Sequence, residues 1–206
     1  MPRNSFAQLA PERRRQILDV AAEEFARSGF AATSYNKLLE RLGLGKSSAY
    51  YYFENKRDLF LTVVVDCYAS YFESLASLTV PSSVDEFWRN VLDASVLGFE
   101  FILRDPRASA ILQCMQRDPA LLSELVSDQV LSSGAAYYSE MLTLGQALGA
   151  VRADLPLEIL IEAVGGLAVT FDQWFVKTIS TGSSPDPRLA AERWTDLIRR
   201  MIEARI

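Results

Sequence analysis

An all-α fold is what the sequence predicts: an N-terminal unit of three helices over residues 1–54, then a larger helical body over 55–206. Three observations lead there. Apolar residues recur at three- and four-residue spacing along nearly the whole chain. Strand-like alternation bounded by turn pairs is absent. Glycine and proline punctuate the periodic stretches where helices would stop and start.

The first helix starts after Pro11 and runs to Ser28, where Gly29 stops it. Ile17, Leu18, Ala21, Ala22 and Phe25 make its apolar face; Asp19, Glu23, Glu24 and Arg27 take the other. The spacing predicts a short helix over 35–42, ended by Gly43, and a very short one over 46–52. A long helix begins near Asn55 and carries Leu59, Phe60, Val63, Val64, Cys67, Tyr68, Tyr71, Phe72 and Leu75. Its pattern fades in a turn at 80–83. Helices follow over 84–104, 106–116, and from Pro119 to about 148. After a turn at 149–154, Pro156 opens a helix to 179 that is apolar nearly all round. A Ser/Gly/Pro loop over 180–187 precedes a last amphipathic helix. The domain boundary is placed after Phe53, inside the long helix, whose stiffness would couple the two parts.

Composition removes several functions. The chain has no histidine, which eliminates the commonest metal ligand and general base. No nucleophile sits beside a base, and no glycine-rich nucleotide loop occurs. The expectation is therefore no catalytic residue, no metal and no cofactor. Two cysteines, Cys67 and Cys114, read as small buried hydrophobes of a reducing compartment. The N-terminal residues lack an apolar signal-peptide core, and the uncharged run 163–171, bracketed by Glu162 and Asp172, falls well short of a bilayer span. A cytoplasmic protein without membrane attachment is expected. The net charge is −5, yet it is unevenly spread. Residues 1–60 carry ten Lys/Arg against seven Asp/Glu, while the remainder carries eleven against nineteen. A locally basic end suffices for phosphate, because charges act within a Debye length of roughly 8–10 Å.

The informative segment is residues 33–53, TSYNKLLERLGLGKSSAYYYF. Two short helices joined by a turn on Gly43 and Gly45 follow the helix-turn-helix plan. Ser34 or Thr33 can cap the first helix. Leu38, Leu39, Leu42, Leu44 and Phe53 hold the pair together. The second helix leaves Lys46, Ser47, Ser48, Tyr50 and Tyr51 outward, donors and polar aromatics suited to phosphates and base edges. Lys56 opens the next helix, where an ammonium and helix N–H groups can meet a phosphate together. Double-stranded DNA is the expected partner. A helical carrier or interaction module would need no such constellation.

From residue 14 to about residue 60 the chain resembles the DNA-binding domain of the TetR family of bacterial repressors. The likeness rests on Ile17-Leu18-x-x-Ala21-x-x-x-Phe25-x-x-x-Gly29-Phe30, on Thr33-Ser34, and on Gly43-Leu44-x-Lys46-x-x-x-Tyr50-x-Tyr52-Phe53-x-x-Lys56-x-x-Leu59. It implies that Thr33, Ser34, Tyr50 and Lys56 contact phosphates and that Lys46, Ser47, Ser48 and Tyr51 face bases. Gly45 departs from the family's usual Ser, Ala49 from a larger apolar residue, and Leu39 and Leu42 from Ala. These departures bear on the tilt of the second helix.

The resemblance further implies a repressor released from its operator by a small, largely apolar or aromatic effector. Candidate pocket residues are Tyr68, Phe72, Phe99, Met115, Tyr138, Met141, Phe171, Trp174 and Phe175, because pockets between helices are lined mostly by such side chains. Glu100 invites a cationic ligand, but Arg104 four residues on gives it an ordinary helical pair. The helices over 155–179 and 187–205 read as a homodimer interface, with Gly165, Gly166 and Ala168 allowing close approach and an apolar stripe at Ala190, Trp194, Leu197 and Met201, flanked by Ile198 and Ile202. A two-fold dimer implies a pseudo-palindromic operator.

Overall fold

The computed structural model describes residues 4–117, 132–183 and 185–204. In chain order its helices are α1 (Asn4–Ala7), α2 (Pro11–Ser28), α3 (Tyr35–Arg41), α4 (Lys46–Tyr52), α5 (Lys56–Ala76), α6 (Val84–Arg104), α7 (Pro106–Arg117), α8 (Ser132–Ala147), α9 (Leu157–Ser180) and α10 (Pro187–Ile202). The start expected at Pro119 lies outside the described residues. Among the described residues the helices are joined by turns and loops, and the one β pairing is an isolated antiparallel bridge between Val151 and Glu203. The expected all-α class holds, and α1 is an addition the periodicity did not reveal.

Two compact units emerge. The first joins Met1–Ser70 with Asp105–Leu125, and the second joins Tyr71–Arg104 with Val126–Ile206. The division thus falls within α5, between Ser70 and Tyr71.

In the first unit α2 is central. Ile17, Leu18, Ala21, Ala22 and Phe25 are all buried. Phe25 meets Phe60 of α5 edge-on, with ring centres 4.9 Å apart, and Phe30 closes the cluster at 5.3 Å from Phe60. Such pairs add about 0.5–1.5 kcal/mol to the burial itself. α2 also packs on α7, whose Ala108, Ile111 and Cys114 are buried. Arg107 at the start of α7 donates to Asp66 of α5 at 2.7 Å and to Asp105 at 3.1 Å, with Asp19 of α2 at 3.6 Å. Cys67 and Cys114 are free and buried, as expected. Burial pushes the Cys67 thiol up to about 12, so it stays protonated and unreactive.

Glu24 departs from its expected place on the solvent face. It is 6% exposed and receives Arg27 at 2.6 Å and Arg41 of α3 at 2.5 Å. The Arg27 and Arg41 guanidiniums hold its carboxyl below the usual range against the opposing effect of burial. Glu24 thereby ties α3 to α2.

In the second unit α6 and α10 are the main packed pair. Phe87, Trp88, Val91 and Ala94 of α6 are buried, as are Ala190, Ala191, Trp194, Ile198 and Ile202 of α10. Most of the α10 stripe expected at a dimer interface is therefore spent inside the unit, because α10 must bury that face on α6. Asp186 caps α10, accepting from the N–H groups of Arg188 at 2.8 Å and Leu189 at 3.2 Å. The turn expected at 149–154 is clamped to the end of α10 by Arg152 N–H donating to Ile202 O and Ala204 N–H to Ala150 O. Gly145 of α8 is obligatory here: a Cβ would fall 2.7 Å from the Phe87 ring and 2.5 Å from Val151.

Glu24→Gln should destabilise the protein by about 1–3 kcal/mol at neutral pH, because the amide keeps one acceptor oxygen but loses the charge and sets an NH2 donor against two guanidiniums. A depressed folded-state pKa contributes stability above the unfolded value of about 4.3, and that contribution is lost as pH falls through the folded value. Thermal melts of both proteins should therefore converge below about pH 4. A gap of constant size from pH 7 to pH 3 would contradict the assignment.

Candidate nucleic-acid interface

The turn between α3 and α4 is built on Gly43, at φ 63°, a left-handed conformation costly for other residues. Leu44 N–H reaches back to Leu39 O at 2.9 Å, and Gly43 N–H to Glu40 O at 3.0 Å. Arg13 of α2 donates to Leu42 O at 2.7 Å, so the last carbonyl of the turn is also satisfied. Gly45 stands at the N-cap of α4 with φ −65° and ψ 153°, an extended conformation open to any residue, and without a side-chain cap. A Cβ placed there would meet no atom within 4 Å. Ser34 likewise occupies the N-cap of α3, but its hydroxyl makes no capping bond.

With seven residues and no cap, α4 depends on tertiary packing. Ala49 and Phe53 behind it are fully buried, alongside Leu38, Leu39 and Leu42. A brace comes from α1. Phe6 is 5% exposed, with its ring 4.8 Å from Phe53 and 6.3 Å from Tyr52. The Ser5 hydroxyl donates to the Tyr51 carbonyl, and Arg14 holds α1 in turn through Ala7 O at 2.5 Å. The lone aromatic Phe6 ahead of Pro11 was the available sequence signal for this contact.

Lys46, Ser47, Ser48, Tyr50 and Tyr51 all lie on the outer face of α4; Tyr50 is 52% exposed and Tyr51 61%. Ser34 and Lys37 are exposed as well. Two of the residues expected at phosphates are placed otherwise. Thr33 is 3% exposed and its hydroxyl donates to Gly29 O at 2.6 Å. The Lys56 ammonium donates to Phe30 O at 2.7 Å, Thr33 O at 2.9 Å and Ala31 O at 3.3 Å, and sits 4.6 Å from the centre of the Phe30 ring. In the free protein both side chains pin the loop between α2 and α3, because its carbonyls offer the nearest acceptors. At the α4–α5 junction Asn55 Oδ1 accepts the Asp58 N–H at 3.0 Å, while the Asp58 carboxylate accepts the Glu54 N–H at 3.0 Å, a reciprocal cap that starts α5.

The residues expected to line a ligand pocket divide. Tyr68 and Met115 belong to the first unit. In the second unit Phe99 lies 5.6 Å from Phe171 and 4.6 Å from Phe175 between ring centres, and Phe171 lies 5.1 Å from Trp174 and 5.4 Å from Trp194. Trp174 is 43% exposed. Tyr138 and Met141 of α8 and Phe72 of α5 are half-buried. Asp172 of α9, left between interface, surface and pocket by the sequence, is half-buried, and burial pushes its carboxyl up to about 7. Burial and the Asp172 charge together raise the Tyr138 hydroxyl. Glu100 pairs with Arg104 at 3.0 Å, the ordinary helical account. α9 is long and apolar enough by composition to cross a membrane, yet only 22% of its apolar window is buried in this chain. Ile159, Leu189 and Leu197 are exposed, and Cβ atoms at Gly165 and Gly166 would meet open space.

Comparison with known proteins bears directly on this arrangement. Residues 17–63, which include α3 and α4, match the family of bacterial regulatory proteins described as tetR. An uncharacterised HTH-type transcriptional regulator of Bacillus subtilis, YdgC, is 24% identical over 93% of both chains. A probable acrEF/envCD operon repressor of Escherichia coli is 22% identical, covering 74% of this chain and 71% of the repressor. In fold, the chain is similar to the transcriptional regulator FadR of Bacillus subtilis, solved with stearoyl-CoA, at a TM-score of 0.69 and 16% identity, with 89% of this chain and 96% of FadR covered.

Gly45→Ser should stabilise the protein by a few tenths of a kcal/mol, since Ser fits the extended backbone and supplies the missing cap of α4. Urea denaturation checks this; a lower midpoint at unchanged slope would contradict an open, cappable position.

Proposed function

We propose that this chain, a member of the tetR family of bacterial regulatory proteins, is a transcriptional repressor that holds a pseudo-palindromic operator as a homodimer and is released by a small effector. The observation that carries the reading is α4, which buries only Ala49 and turns Lys46, Ser47, Ser48, Tyr50 and Tyr51 outward. A helix set in the major groove presents such residues to base edges, while its flanking residues meet the backbone. Lys46, Ser47, Ser48 and Tyr51 are assigned to bases, and Tyr50 and Ser34 to phosphates. Thr33 and Lys56 support these contacts by fixing the loop that precedes α3. Operator binding makes the cytoplasm the place of action.

One recognition helix reads too few base pairs for a specific site, so two are needed. The exposed apolar residues Ile159 and Trp174 of α9 and Leu189 and Leu197 of α10, with the open faces of Gly165 and Gly166, support an interface through residues 155–179 and 187–205. The effector is assigned to the aromatic side chains of the second unit, around Phe99, Phe171 and Phe175. α5 carries residues of both units and is one covalent route between effector and grip; the chain passes between the units again at Arg104–Asp105. Release requires only that the effector prefer the state that binds DNA poorly; a coupling of about 1–3 kcal/mol changes occupancy about 5–150-fold.

Operator affinity, measured by fluorescence anisotropy on a site selected from random fragments, should fall about 100-fold between 50 and 200 mM salt, for roughly four cations, the exposed Lys37 and Lys46 of each copy, brought to the DNA. Tyr51→Ala should weaken the selected site by about 1–3 kcal/mol and leave non-specific binding nearly unchanged. Salt-insensitive binding would overturn the reading; an equal loss on all sequences would overturn the base-facing role of Tyr51.

A further inference from the structure

α4 ends abruptly. Phe53 is extended at φ −130° and ψ 137°, so the carbonyls of Tyr50, Tyr51 and Tyr52 lie beyond the helix's own N–H groups. One of them, Tyr51 O, accepts the Ser5 hydroxyl of α1, 46 residues earlier in the chain. A cap for α4 is thus supplied by another helix, at the end that carries Tyr50 and Tyr51. The same short helix holds that end by packing. Phe6 is 5% exposed, with its ring 4.8 Å from Phe53 and edge-on to Tyr52 at 6.3 Å. Tyr52 in turn meets the Tyr51 ring edge-on at 5.6 Å. The backbone of Tyr51 and its ring both have a path to α1.

α1 is itself fixed. Arg14 of α2 donates to Ala7 O at 2.5 Å, and Leu9 N–H donates to Phe6 O at 3.2 Å. The far end of α4 is therefore referred back to α2, the central helix of its unit. The stretch that matches the tetR family covers residues 17–63, and α1 lies outside it. With seven residues α4 is about 10 Å long, and a tilt of ~5° about its uncapped start moves its far end by roughly 1 Å. A hydrogen bond to a base edge, confined to about 2.7–3.2 Å, is lost over such a shift. Attraction to phosphates, which decays over roughly 8–10 Å, barely registers it. A loose far end would cost base reading and spare general attraction to DNA.

We propose that α1 is a specificity element of the DNA reader. Ser5 and Phe6 are positioning residues: they set the place from which Tyr51 meets base edges, and so decide which base pairs are preferred there. This rests on the repressor reading above, in which Tyr51 faces bases.

Full-length Ser5→Ala and Phe6→Leu variants test it on two duplexes of equal length, the site selected by the parent and an unrelated sequence, by fluorescence anisotropy at one salt concentration. Ser5→Ala removes the capping hydroxyl alone, and Phe6→Leu keeps an apolar side chain in the core. The selected site should lose about threefold with Ser5→Ala and about tenfold with Phe6→Leu, while the unrelated duplex stays within about twofold. Selection from random fragments should relax, in both variants, the same base pairs that Tyr51→Ala relaxes. In a Tyr51→Ala background Ser5→Ala should change selected-site affinity by less than about twofold, since the side chain it positions is gone. Equal losses on both duplexes, unchanged affinity on both, or fully additive losses with Tyr51→Ala would each overturn the proposal. A Tyr51→Ala protein that keeps the parent's base preference overturns the base-facing role of Tyr51 and this proposal with it. A preference lost in Tyr51→Ala yet intact in both α1 variants strikes the role of α1 alone.

Discussion

A helix of seven residues cannot hold its own shape in water, and every side chain assigned to DNA is carried on or beside one. α4 has no side-chain cap at its start. Its pose is set from behind and from its far end. Ala49 lets the helix sit close to the Leu38, Leu39 and Leu42 surface; Phe53 plugs the core, and Phe6 of α1 packs on Phe53 and Tyr52. The small Ala49 and the large Leu39 and Leu42 read as one volume-conserving exchange. The Glu24–Arg41 pair then fixes α3, and with it the platform for α4, onto α2. The grip is therefore a matter of packing, and its polar face inherits precision from apolar contacts.

Much of this was legible in the sequence. The helix start at Pro106 and the stops at Gly29 and Gly43 were readable because proline and glycine act locally. The outward set on α4 was readable because helical spacing separates Ala49 and Phe53 from Lys46, Ser47, Ser48, Tyr50 and Tyr51. What stayed hidden depended on partners distant in the chain. Glu24 looked like a surface acid until Arg41 arrived from α3. Thr33 and Lys56 looked like phosphate ligands because their types and positions suit that task, yet each finds a backbone carbonyl of the same loop. Phe6 gave no periodic signal, since four residues are too few to show one.

The second unit follows a different rule. Its amphipathic α10 spends the strongest apolar stripe on α6, so the surface left for a second copy is the narrower set of Leu189 and Leu197 with α9. Periodicity located the stripe but could not tell which of two partners would cover it. Asp172 was visible as a charge within a largely apolar helix; its half-burial was not, because it lies at the border between the buried row of Leu160, Val164 and Phe175 and the exposed polar row of Glu158, Glu162, Gln173 and Lys177.

The central claim is that two copies of α4 read one DNA face in concert. Hydroxyl-radical footprinting of the selected operator tests it most directly. The account predicts two protected patches on one side of the duplex, with centres about 34–36 Å apart or a multiple of that distance. A single protected patch, or two patches on opposite sides of the duplex, would contradict it.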